Sequence, residues 1–283
     1  MSRPATVTGV EATGRLLTIT VSWQPLPWTT VVDHYRIYAI QSDDRDAART
    51  LRGLPDRLLV AKTVYPRWLH GGRSAVGETW SYLVVAVDAA GTWSRPSTVV
   101  VGRSTISITH SGEPLAVVGA FDGRTLELQY APNRYPSIPT SYPAAVINVP
   151  HGDDAAARWP YLLPGPGDAW AGRRAYSLDW TVDLDAPPVN PAMAVWLVDT
   201  TRLAGRLELA VNGTVVKQLT LIIGGTQGSR QGDANLPGSP LIRSYYEFDL
   251  PPDTFRSGSN TIRFTLAEGG WVAWDAVGLY NRP

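Results

Sequence analysis

Two tryptophans, one tyrosine and side chains of both charges fall within the 16 residues from Trp159 to Arg174, in glycine- and proline-rich sequence. Aromatic faces stack on the apolar face of a pyranose ring, and planar donors or carboxylates hydrogen-bond its hydroxyls. Trp159, Tyr161 and Trp170, beside Asp168, Arg173 and Arg174, therefore carry the residue types that sugar binding requires. The same residues admit a plainer reading. Trp is highly buried on average, so Trp159 and Trp170 would then plug one end of a β-sandwich, with Arg173 bridging local carboxylates. Trp180 and Trp196, within alternating segments, read as core.

Catalytic chemistry finds less support. The histidines, His34, His70, His110 and His151, are scattered, with no His-x-His or His-Glu-x-x-His spacing for zinc. There is no Gly-x-Ser-x-Gly elbow and no phosphate-binding Gly-x-x-x-x-Gly-Lys loop. Gly224-Gly-Thr-Gln-Gly228 is glycine-rich, but no helix signal follows, and it reads as a mobile loop. Asp153 and Asp154 read as turn formers in a Gly-Asp-Asp loop. The chain has 0 cysteines, which excludes thiolate metal sites, cysteine nucleophiles and disulfides. Asp275 shares an alternating face with Val277 and Leu279, so it points at an apolar layer and needs a partner. Hydrogen-bond donors are the favoured partner and a cation the alternative.

The elements that must position these groups are strands. The chain has 283 residues, suggesting two domains, each able to bury a core without disulfides. Formal charge balances at 25 basic against 25 acidic residues, so nothing draws the chain to nucleic acid or an anionic membrane. No run of about 18 apolar residues predicts a membrane span, and the first residues lack the apolar region of a signal peptide. Trp (11) and Tyr (12) outnumber Phe (4), a bias towards rings with a polar handle. Leu17 to Trp23, Tyr35 to Ala39 and Trp80 to Ala86 alternate with period two, as half-buried strands do. Leu178 to Leu184, Leu207 to Val211 and Ile262 to Leu266 do the same, and Asn212-Gly213 predicts a two-residue hairpin turn. Leu115 to Phe121 and Leu126 to Tyr130 flank Asp122-Gly123 as a second predicted hairpin. Residues 132–166 contain eight prolines among several aromatic rings, which predicts an ordered loop wrapped over the second domain.

Trp23, His34-Tyr-Arg-Ile-Tyr38 and Tyr82-Leu-Val-Val-Ala-Val-Asp88 resemble the fibronectin type III domain over roughly residues 4–103. Trp80 stands where that family carries its corner tyrosine, so the corner bond is not carried over and the ring is read as packing. Trp159-Pro-Tyr161, Gly165 to Gly172, Leu207 to Gly213, Arg256 to Ile262 and Trp271 to Val277 are similar to the C-terminal carbohydrate-binding-like domain of rhamnogalacturonan lyases. The resemblance implies an all-β chain of tandem sandwiches: a fibronectin type III-like domain (1–103), a connecting hairpin and loop (104–139), and a galactose-binding-like jelly roll (140–283). It implies an extracellular or cell-surface parent protein and a polysaccharide or oligosaccharide partner, pectic by analogy. It also offers a structural calcium at Asp275 as the only cofactor. The lysine and histidine that perform β-elimination in those lyases match no position here. The predicted function is therefore a non-catalytic carbohydrate-binding accessory region. An extracellular spacer, or an independent lyase or glycoside hydrolase, are the alternatives.

Overall fold

The computed structural model describes residues 3–27, 32–43, 45–152, 154–203, 205–225 and 241–283. Strands account for 48% of the chain and helices for 11%, well below the usual helical share of about a third. The chain divides into two compact units, Met1–His110 and Ser111–Pro283. The division thus falls inside the stretch read from sequence as connecting.

The first unit pairs β1 (Glu11–Arg15), β2 (Thr18–Ser22) and β5 (Arg67–His70) in one sheet. The second sheet is ordered β4 (Leu59–Thr63), β3 (Val32–Ile40), β6 (Thr79–Asp88) and β7 (Val100–Arg103). Ile19 and Val21 from one sheet meet Tyr35, Ile37, Tyr82 and Val84 from the other, which is why those strands alternate. The other face of β3 and β6 is buried too. Tyr38, Leu83 and Val85 pack there with Leu51 of α1 (Arg45–Arg52), an element not anticipated from the sequence. Its signal is short: Ala47 and Leu51 lie four apart on one face, and Arg49 and Arg52 in the last turn suit the helix dipole. Trp80, in the corner position, gives its indole N–H to Glu78 at 2.7 Å and lies under the Arg73 guanidinium. It packs, as its lack of a hydroxyl predicts. The short α2 (Ile108–Ser111) carries the boundary between the units.

In the second unit, one sheet joins β8 (Glu113–Gly119), β10 (Leu162–Pro164), β17 (Trp271–Asn281), β12 (Pro191–Thr200) and β15 (Ser244–Asp249). Both β8 and β10 pair with β17, at opposite ends. The other sheet is ordered β14 (Thr214–Leu221), β13 (Gly205–Val211), β16 (Gly258–Glu268), β11 (Ser177–Leu184) and β9 (Val146–Val149). The Asn212-Gly213 hairpin joins β13 to β14 as predicted, with φ of +49° and +87°. The expected hairpin across Asp122-Gly123 does not form. The backbone N–H groups of Gly123 and Arg124 donate instead to Asp275, and β8 takes β17 as its partner. The proline-rich stretch is ordered, as expected, and holds α3 (Ser137–Ser141), β9, α4 (Ala155–Arg158) and β10.

Between the sheets lies an aromatic cluster. Trp159 meets Trp180 of β11, Phe264 of β16 and Trp274 of β17 edge-on, with ring centroids 5.8, 5.7 and 5.4 Å away. Edge-to-face pairs of this kind add about 0.5–1.5 kcal/mol each beyond area burial. Trp159 is thus the plug between the two sheets.

Candidate functional site

The segment Gly165–Arg174 is a turn clamped onto the β16–β17 hairpin. Gly165 N–H donates to Gly270 O at 2.6 Å and Gly167 N–H to Gly269 O at 2.7 Å. A Cβ on either glycine would sit under 3 Å from Gly269 O, so only glycine permits the approach. Asp168 then caps a single 3₁₀ turn, Ala169–Ala171. Its Oδ1 accepts from Trp170 N–H at 2.9 Å, and its Oδ2 accepts from the Tyr135 hydroxyl. Gly172 and Arg173 close the turn with φ of +75° and +54°, and Arg173 N–H returns to Asp168 O at 2.9 Å.

That construction points Trp170 outwards. Its side chain is 68% exposed, and of the tryptophans among the described residues it is the one that is exposed. Trp28 lies outside the described residues. A large apolar ring left in water, on a turn whose backbone is held by five backbone bonds and a carboxylate cap, is a flat face carried on a preset backbone. Arg173 and Arg174 are exposed on the same turn. Arg174 gives an N–H to Pro143 O at 2.7 Å and lies over the Tyr176 ring.

The structure separates residues that the sequence grouped. Trp159 is 1% exposed, and its faces are occupied by the aromatic cluster, so it cannot stack on a ligand. Tyr161 is equally buried, in the same core. Asp168 is wholly buried, and its carboxylate is engaged by the Trp170 N–H and the Tyr135 hydroxyl. The sugar-binding reading of Trp159, Tyr161 and Asp168 is corrected on these grounds, since a surface ligand has no path to them. Trp170, Arg173 and Arg174 stay together at the surface. Arg173 bridges no carboxylate among the described residues. Trp180 and Trp196 are buried, as read.

Asp275 does not share the face of Val277. A bulge sets Ala276 opposite Trp196 and Trp274 opposite Leu197, so Trp274 and Val277 both reach the core while Asp275 turns elsewhere. The carboxyl is 1% exposed. Its Oδ1 accepts from Gly123 N–H at 2.8 Å and Arg124 N–H at 3.2 Å, and Oδ2 has no partner among the described residues. Burial pushes its pKa up to about 6 against those donors. The surroundings suit a hydrogen-bonded carboxyl. Among the described residues, no group of three or more His, Cys, Asp or Glu is found.

The histidines are not brought together. His34 Nδ1 lies 2.7 Å from Asp33, and His151 Nδ1 accepts a long bond from Asp183 N–H. His70 is buried between Trp68 and Trp80, with Nδ1 2.8 Å from the Tyr82 hydroxyl. Burial lowers its pKa to about 4, with the nearby Arg73 charge as a second cause. Of the glycine-rich loop 224–228 and the Asp153–Asp154 pair, Thr226–Gly228 and Asp153 lie outside the described residues.

One feature was missed from sequence. Two hollows of about 430 and 390 Å³ are both lined by Arg158, at the end of α4. Tyr142, Asn148 and Gln129 face the smaller one, His151 and Asp154 the larger. An arginine next to a tryptophan carries no signal by itself.

No family model and no curated protein matches the sequence. Among solved structures, a family 35 carbohydrate binding module from an environmental isolate is 14% identical, covering 37% of this chain and 65% of that one, with a TM-score of 0.26. The fibronectin type-III domain of human fibronectin type III domain containing protein 3 is 15% identical, covering 39% and 94%, with a TM-score of 0.30. The alpha-L-rhamnosidase from Dictyoglumus thermophilum is 12% identical, covering 100% of this chain but 29% of that one, with a TM-score of 0.31. The chain therefore spans less than two thirds of the first and third of these. At such distances the likenesses say nothing about what this chain binds.

Proposed function

We propose that this chain is a non-catalytic carbohydrate-binding region, with Trp170 as its stacking platform and Arg173 and Arg174 as polar partners. The observation that carries the proposal is the exposure of Trp170 on a turn whose backbone is tied down. Leaving an indole in water forgoes roughly 1.5–3 kcal/mol of burial, and a rigid aromatic face loses little entropy when a sugar ring settles on it. The sequence resemblance supplies the finer reading: an accessory part of an extracellular polysaccharide-degrading protein, acting on pectic glycans. No helix among the described residues is long and apolar enough to cross a membrane.

The test is calorimetry of the wild type and Trp170→Ala against rhamnogalacturonan oligosaccharides, after a glycan array to choose the best ligand. Loss of the ring is expected to cost about 1–2 kcal/mol, a tenfold or greater fall in affinity. Equal binding by a folded Trp170→Ala removes this residue from the site. If the wild type binds no wall glycan, the spacer reading replaces ours.

A further inference from the structure

We propose that the hollow between Tyr142 and Arg158 is a second subsite, which receives the carboxylate of an acidic sugar unit. The inference rests on the carbohydrate-binding reading above and adds the class of glycan and the residue that selects it.

Arg158 is the one charged side chain lining this 390 Å³ hollow. The remaining polar lining is neutral, from Gln129, Ser141, Tyr142 and Asn148, and Pro143 and Val146 supply apolar wall. The volume lies within the range of small-molecule sites, about 300–1,000 Å³. One cation among neutral donors and acceptors, beside an aromatic ring, suits a hydroxylated ring bearing a single negative charge. The guanidinium is planar and offers a fork that matches a carboxylate.

The local charge arrangement supports an anion. Arg158 forms no ion pair among the described residues, and neither do Arg134, Arg173 or Arg174. Some arginines of the same unit are matched, Arg263 with Asp179, Arg206 with Glu268 and Arg282 with Asp249, so the Arg158 guanidinium keeps its fork for a ligand. Asp154 lines the larger hollow with Arg158 and forms no ion pair with it.

The hollow is also pre-set. Tyr142 OH donates to Gln129 Oε1 at 2.7 Å, Tyr130 OH donates to Ser141 Oγ at 2.8 Å, and Ala155 and Trp159 are buried on either side of Arg158. It is linked to the Trp170 turn through α3 and Arg174. Helix α3, about 7 Å long at 1.5 Å per residue, packs on that turn and ends at Ser141 in the hollow. Arg174 holds Pro143 of the same wall by its carbonyl. A chain stacked on Trp170 therefore has the Arg158 hollow within reach of a neighbouring unit.

The experiment compares de-esterified oligogalacturonates with their fully methyl-esterified counterparts, which keep the ring and lose the charge. Wild type is expected to prefer the acid form by about five- to tenfold, the scale of an accessible charge-assisted bond. Arg158→Gln should erase that preference and leave binding of the ester unchanged. Arg158→Lys, which keeps the charge without the fork, should retain part of it. Trp170→Ala should weaken both ligands alike. A preference that survives Arg158→Gln, or its absence in wild type, overturns this subsite while the stacking platform stands. Failure of wild type to bind either ligand overturns both.

Discussion

Asp168 is the residue on which the geometry of the platform turns, although it touches no ligand. Replacing it with alanine leaves the Trp170 N–H and the Tyr135 hydroxyl without their acceptor. An orphaned buried donor costs about 1–3 kcal/mol, so the variant should lose about 2–5 kcal/mol of the second unit's stability. Tyr135→Phe removes one of the two contacts and should cost about 1–2 kcal/mol. Because both changes delete the same hydroxyl–carboxylate bond, the double variant should be less destabilised than the sum, by about 1.5–3 kcal/mol. Asp168→Asn keeps an acceptor for Trp170 N–H and should cost least of the three.

Two assays read this. Urea unfolding gives the free energies, and amide hydrogen exchange across residues 165–174 reports whether the turn itself has loosened. Exchange should speed up at Gly167, Asp168 and Arg173, whose N–H groups are bonded within the clamp. Glycan affinity should fall in Asp168→Ala even though Trp170 is intact, since a mobile ring must be ordered on binding. Unchanged exchange across the turn together with additive free energies would refute the claim that Asp168 holds Trp170 in place.

The two units should answer acid in opposite senses. The folded pKa of His70, about 4, lies below its ordinary 6.5, so the unfolded first unit binds the extra proton between those values. That unit loses stability as pH falls from about 6.5 to 4, by at most about 3 kcal/mol at 1.36 kcal/mol per pH unit. Asp275 runs the other way: its folded pKa, about 6, is above the ordinary 3.8, so its contribution is complete below 3.8 and is lost as pH rises through 6. Amide exchange read separately over residues 3–110 and 111–283 checks both, and parallel trends would contradict the assignment; Asp275→Asn should flatten the second. At the Asn212-Gly213 turn, Gly213→Val should destabilise by about 1 kcal/mol or more, because a Cβ there meets open space and the cost is all backbone strain at φ of +87°. An unchanged melting temperature would mean that the turn is not held in this conformation.

How far the sequence could lead depended on whether a signal was periodic. The alternation of Leu178 to Leu184 and Ile262 to Leu266 placed β11 and β16, because period two states which side chains face the core. Trp159 and Trp170 sit in irregular sequence, where no period assigns a direction, so two rings eleven positions apart looked alike although one is core and the other solvent. Non-local partners defeated the Asp122-Gly123 hairpin in the same way. The turn chemistry was read correctly, since Gly123 has φ of +80°, but its N–H donors go to a carboxylate 152 positions along the chain. That carboxylate was itself misplaced by a bulge, which shifts every later side chain to the other face and leaves no mark in composition. The local clue that did exist was Asp168, two residues before Trp170. An Asp in a glycine-rich turn accepts from the N–H two positions on, and this fixes the backbone at the tryptophan while its ring stays outside. Arg158 had no such clue, because what makes it a candidate anchor is that it is the one charged side chain lining its hollow, and only a fold can show that.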